Sequence, residues 1–384
     1  MGQCISAMGL KDEIVSGRYG DSSKQLDSLV EKIKLRLDPA ERSRALKWSV
    51  QGNSNALVKL VLDMGVDVNH RDKRQRTALH HAVAGREPES IASAMKRLEV
   101  ELEACNDPSS MRSIVAQYNA KSTITRYDIQ IILTLLQAGA DVDLVDACGL
   151  SALTYAALTG NLIGVTEILS HKPRIDLQDK SGHTTLIMAA CLGHTEIAKA
   201  LVTAGANLDV QNDNNDTALI FAACWGHTEI AKALVSAGAN LDVQDKDGNT
   251  ALILAASNGH TEVTRALVSC GAQLNIRDKD GDTALICAVA CSQPHTADVI
   301  VSSARPGTLD IDAVNSEGWT AVTRARNLGY HPLAEKMILY GARREMDRQP
   351  EEMGHAQSSN LNNWQETTQA IKVGMNIGDI LGQL

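Results

Sequence analysis

The chain has 384 residues, more than one compact core usually fills, so it must be either several domains or a repeat array. Aromatic residues make up only 3% of it against 44% apolar overall, which suits small-residue helices stacked in line better than one large interior. A net charge of −9 argues against a general nucleic-acid binder, and the eight cysteines show no paired CxxC spacing. With no signal segment and no 18-residue apolar run, the expected setting is a reducing cytoplasm with free thiols.

The chain opens on MGQCIS, which fits the pattern for N-myristoylation at Gly2, with Cys4 placed for palmitoylation. This start resembles dually acylated signalling proteins such as Src-family kinases and G-protein α subunits. One acyl chain holds a protein weakly and two hold it stably, so the pair would fix the chain on the cytoplasmic face of the plasma membrane. The bland alternative is an unmodified leader. Residues 1–40 are read as this leader with a short helix.

From about residue 41 a period emerges. Leu153, Leu186, Leu219, Leu252 and Leu285 lie 33 apart, as do Leu46 and Leu79, and Val322 closes the series after 37. HTEIAKALVTAGANLDVQ at 194–211 recurs at 227–244 with one change, Thr203 becoming Ser236. Each unit reads as turn, helix, tight turn, helix and hairpin-like loop. Thr217, Thr250 and Thr283 are placed to cap the first helix, and Gly193, Gly226 and Gly259 to break it. Gly205, Gly238 and Gly271 supply a left-handed end to the second. The second unit is interrupted at about 86–127, where Ile91, Met95, Leu98 and Leu102 have helical spacing.

The 33-residue period resembles the ankyrin family over roughly 40–342. That resemblance implies an all-α ankyrin-repeat solenoid of about eight helix-turn-helix units with worn caps, within an array bounded at 41–342. The sequence departs from the family's T-P-L-H-x-A segment. Its Pro is Ala or Thr, and its His survives only as His80, with Ile187, Ile220, Ile253 and Ile286 in that slot elsewhere. A different hydrogen-bond arrangement between neighbouring turns is therefore expected.

The resemblance also implies protein partners on a concave face built from inner-helix ends and turn tips. Carried onto this chain, the helix ends are Leu158, Thr159, Cys191, Leu192, Cys224, Trp225, Ser257 and Asn258. The tips are His183, Asp216, Asn249 and Asp282, with Trp319 read as structural. Trp225 stands out because the neighbouring copies carry Leu192 and Asn258 there, and tryptophan is a preferred interface anchor. It could equally cover the junction to the next repeat. Cys191 with His194 and Cys224 with His227 repeat with the period, so these histidines read as structural rather than as metal ligands. No phosphate loop, nucleophile elbow or HExxH motif occurs.

The tail, 343–384, turns polar. Ala370, Val373, Ile377, Ile380 and Leu384 then form a seam fit for a partner helix, weakened by Gly374, Gly378 and Gly382. The expectation is a non-catalytic, monomeric scaffold or adaptor tethered by acylation, with no cofactor, metal or nucleic acid. The alternative is a soluble regulatory or substrate-recruiting subunit of an enzyme complex, docking through the terminal helix.

Overall fold

A computed structural model describes residues 14, 23–36, 39–84, 129–304 and 308–340. The acylation candidates Gly2 and Cys4, the 86–127 insertion and the 361–384 seam lie outside the described residues. Contacts divide the chain into two units, and among the described residues the first runs to Lys180 and the second begins at Ser181.

Seventeen helices are described. The first unit holds α1 (Ser23–Arg36), α2 (Pro39–Gln51), α3 (Asn55–Asp63), α4 (Ala78–Ala84), α5 (Ile129–Gln137), α6 (Ala152–Leu158) and α7 (Leu162–Ser170). The second holds inner helices α8 (Thr185–Leu192), α10 (Ala218–Trp225), α12 (Ala251–Ser257), α14 (Ala284–Ala290) and α16 (Ala321–Asn327). These alternate with outer helices α9 (Thr195–Thr203), α11 (Thr228–Ser236), α13 (Thr261–Ser269), α15 (Pro294–Ser303) and α17 (His331–Leu339). Among the described residues, β structure is limited to two isolated bridges, Val145 with Ser151 and Arg277 with Thr283. The fold is an all-α repeat array.

From α2 to α17 the helices form eight pairs, and α4 packs on α5 as such a pair across the long sequence gap between them. Within the second unit each inner helix packs on the next inner helix, and each outer helix on the next outer one. The inner helices α8, α10, α12 and α14 are apolar almost all round, whereas the closing α16 carries Arg324 and Arg326. In α10, every residue from Ala218 to Cys224 is buried, which is what a helix walled by neighbours on all sides requires. Each fully buried Leu or Ile there contributes about 1.5–3 kcal/mol of transfer free energy. Outer helices bury one stripe only: α11 buries Ile230, Ala231 and Leu234 and exposes Glu229 and Lys232, paired at 3.2 Å. Such an exposed pair adds little to stability.

The caps follow the expected chemistry. Thr217, Thr250 and Thr283 accept from the backbone N–H of Ile220, Ile253 and Ile286, satisfying one orphan donor at each inner-helix start. The turn before each cap is built by an Asp or Asn. Asp245 Oδ1 accepts from the N–H groups of Asp247 and Asn249, both at 2.8 Å, and Asp278 repeats this at Asp280 and Asp282.

Neighbouring turns are joined through the main chain. Lys246 N–H donates to Asn214 C=O, Lys279 N–H to Asp247 C=O and Ser316 N–H to Asp280 C=O, at 2.9–3.0 Å. This backbone ladder accompanies the Ile-bearing repeats. Where the histidine survives, it makes an additional link. The N–H of Thr77 donates to His80 Nδ1, which fixes the ring proton on Nε2, and that group donates to Leu150 C=O at 3.2 Å. The main-chain bond is present there too, Ala147 N–H donating to Arg74 C=O at 2.9 Å, so the Ile-bearing repeats keep the common ladder without the histidine link.

Gly248 shows how tightly the ladder is drawn. Its φ is +82°, and a Cβ there would sit 2.9 Å from the backbone Cα of Asp278. Gly238 is also left-handed, at +91°, yet a Cβ would meet nothing within 4 Å. Gly248→Ala should therefore cost on the order of 3 kcal/mol, and Gly238→Ala about 1 kcal/mol from φ strain alone. Urea denaturation of both variants checks this; equal losses would remove the close approach as the cause.

Candidate functional site

The structure distributes the sequence-derived residues unevenly. At the inner-helix ends, Leu158, Cys191, Leu192, Cys224 and Ser257 are buried, while Thr159, Trp225 and Asn258 are half-buried. The tip residues His183, Asp216, Asn249 and Asp282 are buried too, at 1–2% exposure. Placed four residues after the turn-building Asx, these positions face the turn itself. Asp216 accepts from Asn212 Nδ2 at 3.2 Å, Asn249 Nδ2 donates to Asp245 at 3.1 Å, and Asp282 accepts from Asn315 Nδ2 at 2.7 Å. The side chains of Asp216, Asn249 and Asp282 hold turns together and His183 packs near Phe221, so none offers contact area, which corrects the expectation that they would line a partner-facing edge.

Burial acts on the titratable groups in the same places. It pushes the Asp216 carboxyl up to about 7 against the help of Asn212, and Asp278 likewise up to about 7. It raises the Cys191 and Cys287 thiols and takes Cys291 up to about 12, so these stay protonated and pack as small hydrophobes.

The ring of His227 donates or accepts at Cys191 C=O, 3.2 Å away; since a carbonyl only accepts, Nε2 carries the proton. His260 does the same at Cys224 C=O, at 2.9 Å. Both rings thus tie one repeat to the orphan carbonyls ending the previous inner helix. The donor atoms of Asp278, Asp282 and Cys287 come within 4.8 Å of one another, a grouping that sequence reading missed. Asp278 is occupied by two backbone N–H groups and the Cys287 thiol at 3.9 Å, and Asp282 by Asn315.

The family model for ankyrin repeats, in three copies, matches residues 123–212, 164–245, 201–278 and 219–315. Together these cover half of the 384 residues. The chain belongs to the ankyrin-repeat family. Ankyrin repeats are protein-interaction modules, and this array is one. No helix among the described residues is long and apolar enough to cross a membrane.

Within the ankyrin array, Trp225 is the large side chain with accessible surface among the candidates. It ends α10 just before Gly226, whose φ of +72° stops the helix. Seated on a helix end with its ring only half-buried, the indole is partly ordered already, which lowers the cost of using its exposed part in an interface. Trp319, by contrast, is 8% exposed and has the Arg324 guanidinium 5.3 Å from its ring centroid. It is part of the closing repeat's packing.

A second feature was not singled out from the sequence. In the first unit, α2 and the turn at 70–76 enclose a cavity of about 520 Å³ with a strongly basic lining. Its signal was legible in the run HRDKRQR, masked by the negative charge of the whole chain.

Proposed function

We propose that this chain is a non-catalytic scaffold whose inner-helix ends capture a protein partner, with Trp225 as the central anchor. The observation carrying the reading is a half-exposed indole on a rigid helix end whose other candidate neighbours are mostly buried. Asn258 supplies a half-exposed polar group at the corresponding end of α12 in the same unit. A buried tryptophan anchor is worth about 2 kcal/mol or more, close to thirty-fold in affinity. Acylation at Gly2 and Cys4 would hold the scaffold on a membrane surface.

One experiment addresses both parts: proximity labelling in cells fed a clickable myristate analogue, with wild type, Trp225→Ala and Gly2→Ala compared. Trp225→Ala should deplete the main partners while keeping the lipid label. Gly2→Ala should lose the label and the membrane fraction. An unchanged partner set in Trp225→Ala would sink the anchor assignment, and equal lipid label in Gly2→Ala would sink the tether.

A further inference from the structure

The basic cavity of the first unit is built by two pieces of chain. On α2, Arg44, Lys47 and Trp48 stand at i, i+3 and i+4, so they share one helix face. Beyond α3, the turn at 70–76 adds Arg71, Lys73 and Arg74 to the lining. Arg44, Arg71, Lys73 and Arg74 are exposed, and Trp48 is half-buried beside them.

One carboxylate, Asp72, organises the inner end. Its Oδ1 accepts from the N–H groups of Arg74 and Arg76 and so shapes the turn. Its Oδ2 meets Lys47 Nζ at 2.6 Å, His81 Nε2 at 3.1 Å and Arg76 Nε at 3.4 Å. Burial alone would raise the Asp72 carboxyl, but hydrogen bonds from His81, Lys47 and the Arg76 backbone outweigh it and hold it well below the usual carboxylate range. Asp72 is therefore ionised and committed inward. Six cationic side chains line the cavity against this single acid, four of them exposed, in a chain of net charge −9.

We propose that this cavity binds a compact polyphosphate: a small polyol bearing two or more phosphates, free in solution or displayed as a lipid headgroup. The volume lies within the range of small-ligand sites, not of a groove tracking an extended strand. Guanidinium groups from both pieces of chain suit bidentate phosphate contacts, with Lys73 as an added point charge. Trp48 offers an apolar ring for the carbon face of the polyol. The negative charge of the whole chain selects the same class. A long polyanion feels repulsion over its whole length, whereas a compact one senses only about the nearest 10 Å at 0.1 M salt.

The test is calorimetric titration of the full chain with inositol 1,4,5-trisphosphate, beside an Arg71→Gln, Lys73→Gln, Arg74→Gln triple variant. Those three side chains are exposed, and glutamine keeps the backbone N–H groups that Asp72 holds, so folding, checked by circular dichroism, should be retained. The expected result is one saturable site whose affinity falls at least tenfold in the variant. Flotation with vesicles of phosphatidylinositol 4,5-bisphosphate, against phosphatidylserine vesicles of equal charge, separates the two sources. Selective flotation assigns a lipid headgroup; binding of the free trisphosphate without flotation assigns a soluble ligand. No saturable binding, an unchanged variant, or equal flotation with both vesicles and no trisphosphate site would overturn the proposal. None of these outcomes bears on Trp225, which lies in the second unit.

Discussion

Phe221→Ala is expected to destabilise the second unit by about 3–5 kcal/mol, the largest loss from a single side chain there. Phe221 is the one phenylalanine of the chain and is fully buried at 0% exposure on α10. Its slot recurs every 33 residues as Met188, Phe221, Leu254 and Cys287, all buried, so the repeats have adjusted their packing to very different volumes. Around Phe221 the neighbours are fitted to a ring: the imidazole of His183 lies 6.4 Å away, tilted by 55°. Deleting the ring leaves a void that Ala222 and Ala223, already small, cannot fill. Phe221→Leu copies the Leu254 repeat and should cost only about 1 kcal/mol. In a stacked array the loss passes to adjacent repeats through their interfaces, so exchange protection should drop in α8 and α12 as well as α10. Denaturant titration by circular dichroism gives the total. A Phe221→Ala loss below about 1 kcal/mol would mean the core closes over the gap, and the packing argument fails.

The array was legible because each repeat must make its own caps and turns and then match its neighbour. Thr217 caps, Gly226 ends a helix, and Leu219 returns every 33 residues; each has one physical job, and spacing reveals it. Side-chain direction at the turns was not legible. Counting from Asp245 places Asn249 at a tip, but only the backbone hydrogen bond to Asp245 Oδ1 shows that the chain there curls inward and buries the amide. The inner-helix ends are different. ALIFAACW in α10 is apolar on every side, which already implied that Cys224 is walled in and left Trp225, the last residue, as the position that could reach out. The basic cavity escaped because its halves, Arg44 to Trp48 and Arg71 to Arg74, come from pieces of chain separated by α3, whose facing is set only by packing. A whole-chain charge of −9 conceals a local surplus.

The second large effect is that the two units should respond to pH in opposite directions. In the first unit, burial lowers His80 and His81 to about 4, with the bonds to Leu150 C=O and to Asp72 only partly offsetting it. The folded value lies below the ordinary imidazole value of 6.5, so the unfolded chain binds more protons between them. Stability is then complete above about pH 6.5 and is lost as pH falls toward 4, by at most roughly 3 kcal/mol per ring. In the second unit the sign reverses. Asp216 and Asp278 are raised from 3.8 to about 7 by burial, and Asp245 moves the same way. Their folded forms keep protons that the unfolded chain has released, so stability is complete below about 3.8 and is lost as pH rises through 7. Between pH 5 and pH 8 the first unit should strengthen while the second weakens. Hydrogen exchange followed by mass spectrometry, corrected for intrinsic rates, can read α4 and α14 separately in one sample. Asp278→Asn should flatten the response of α14, because the amide can still accept from Asp280 and Asp282 N–H without a charge to bury. If α4 and α14 change protection in the same direction, or if Asp278→Asn leaves the slope of α14 intact, burial of these acids does not govern the second unit.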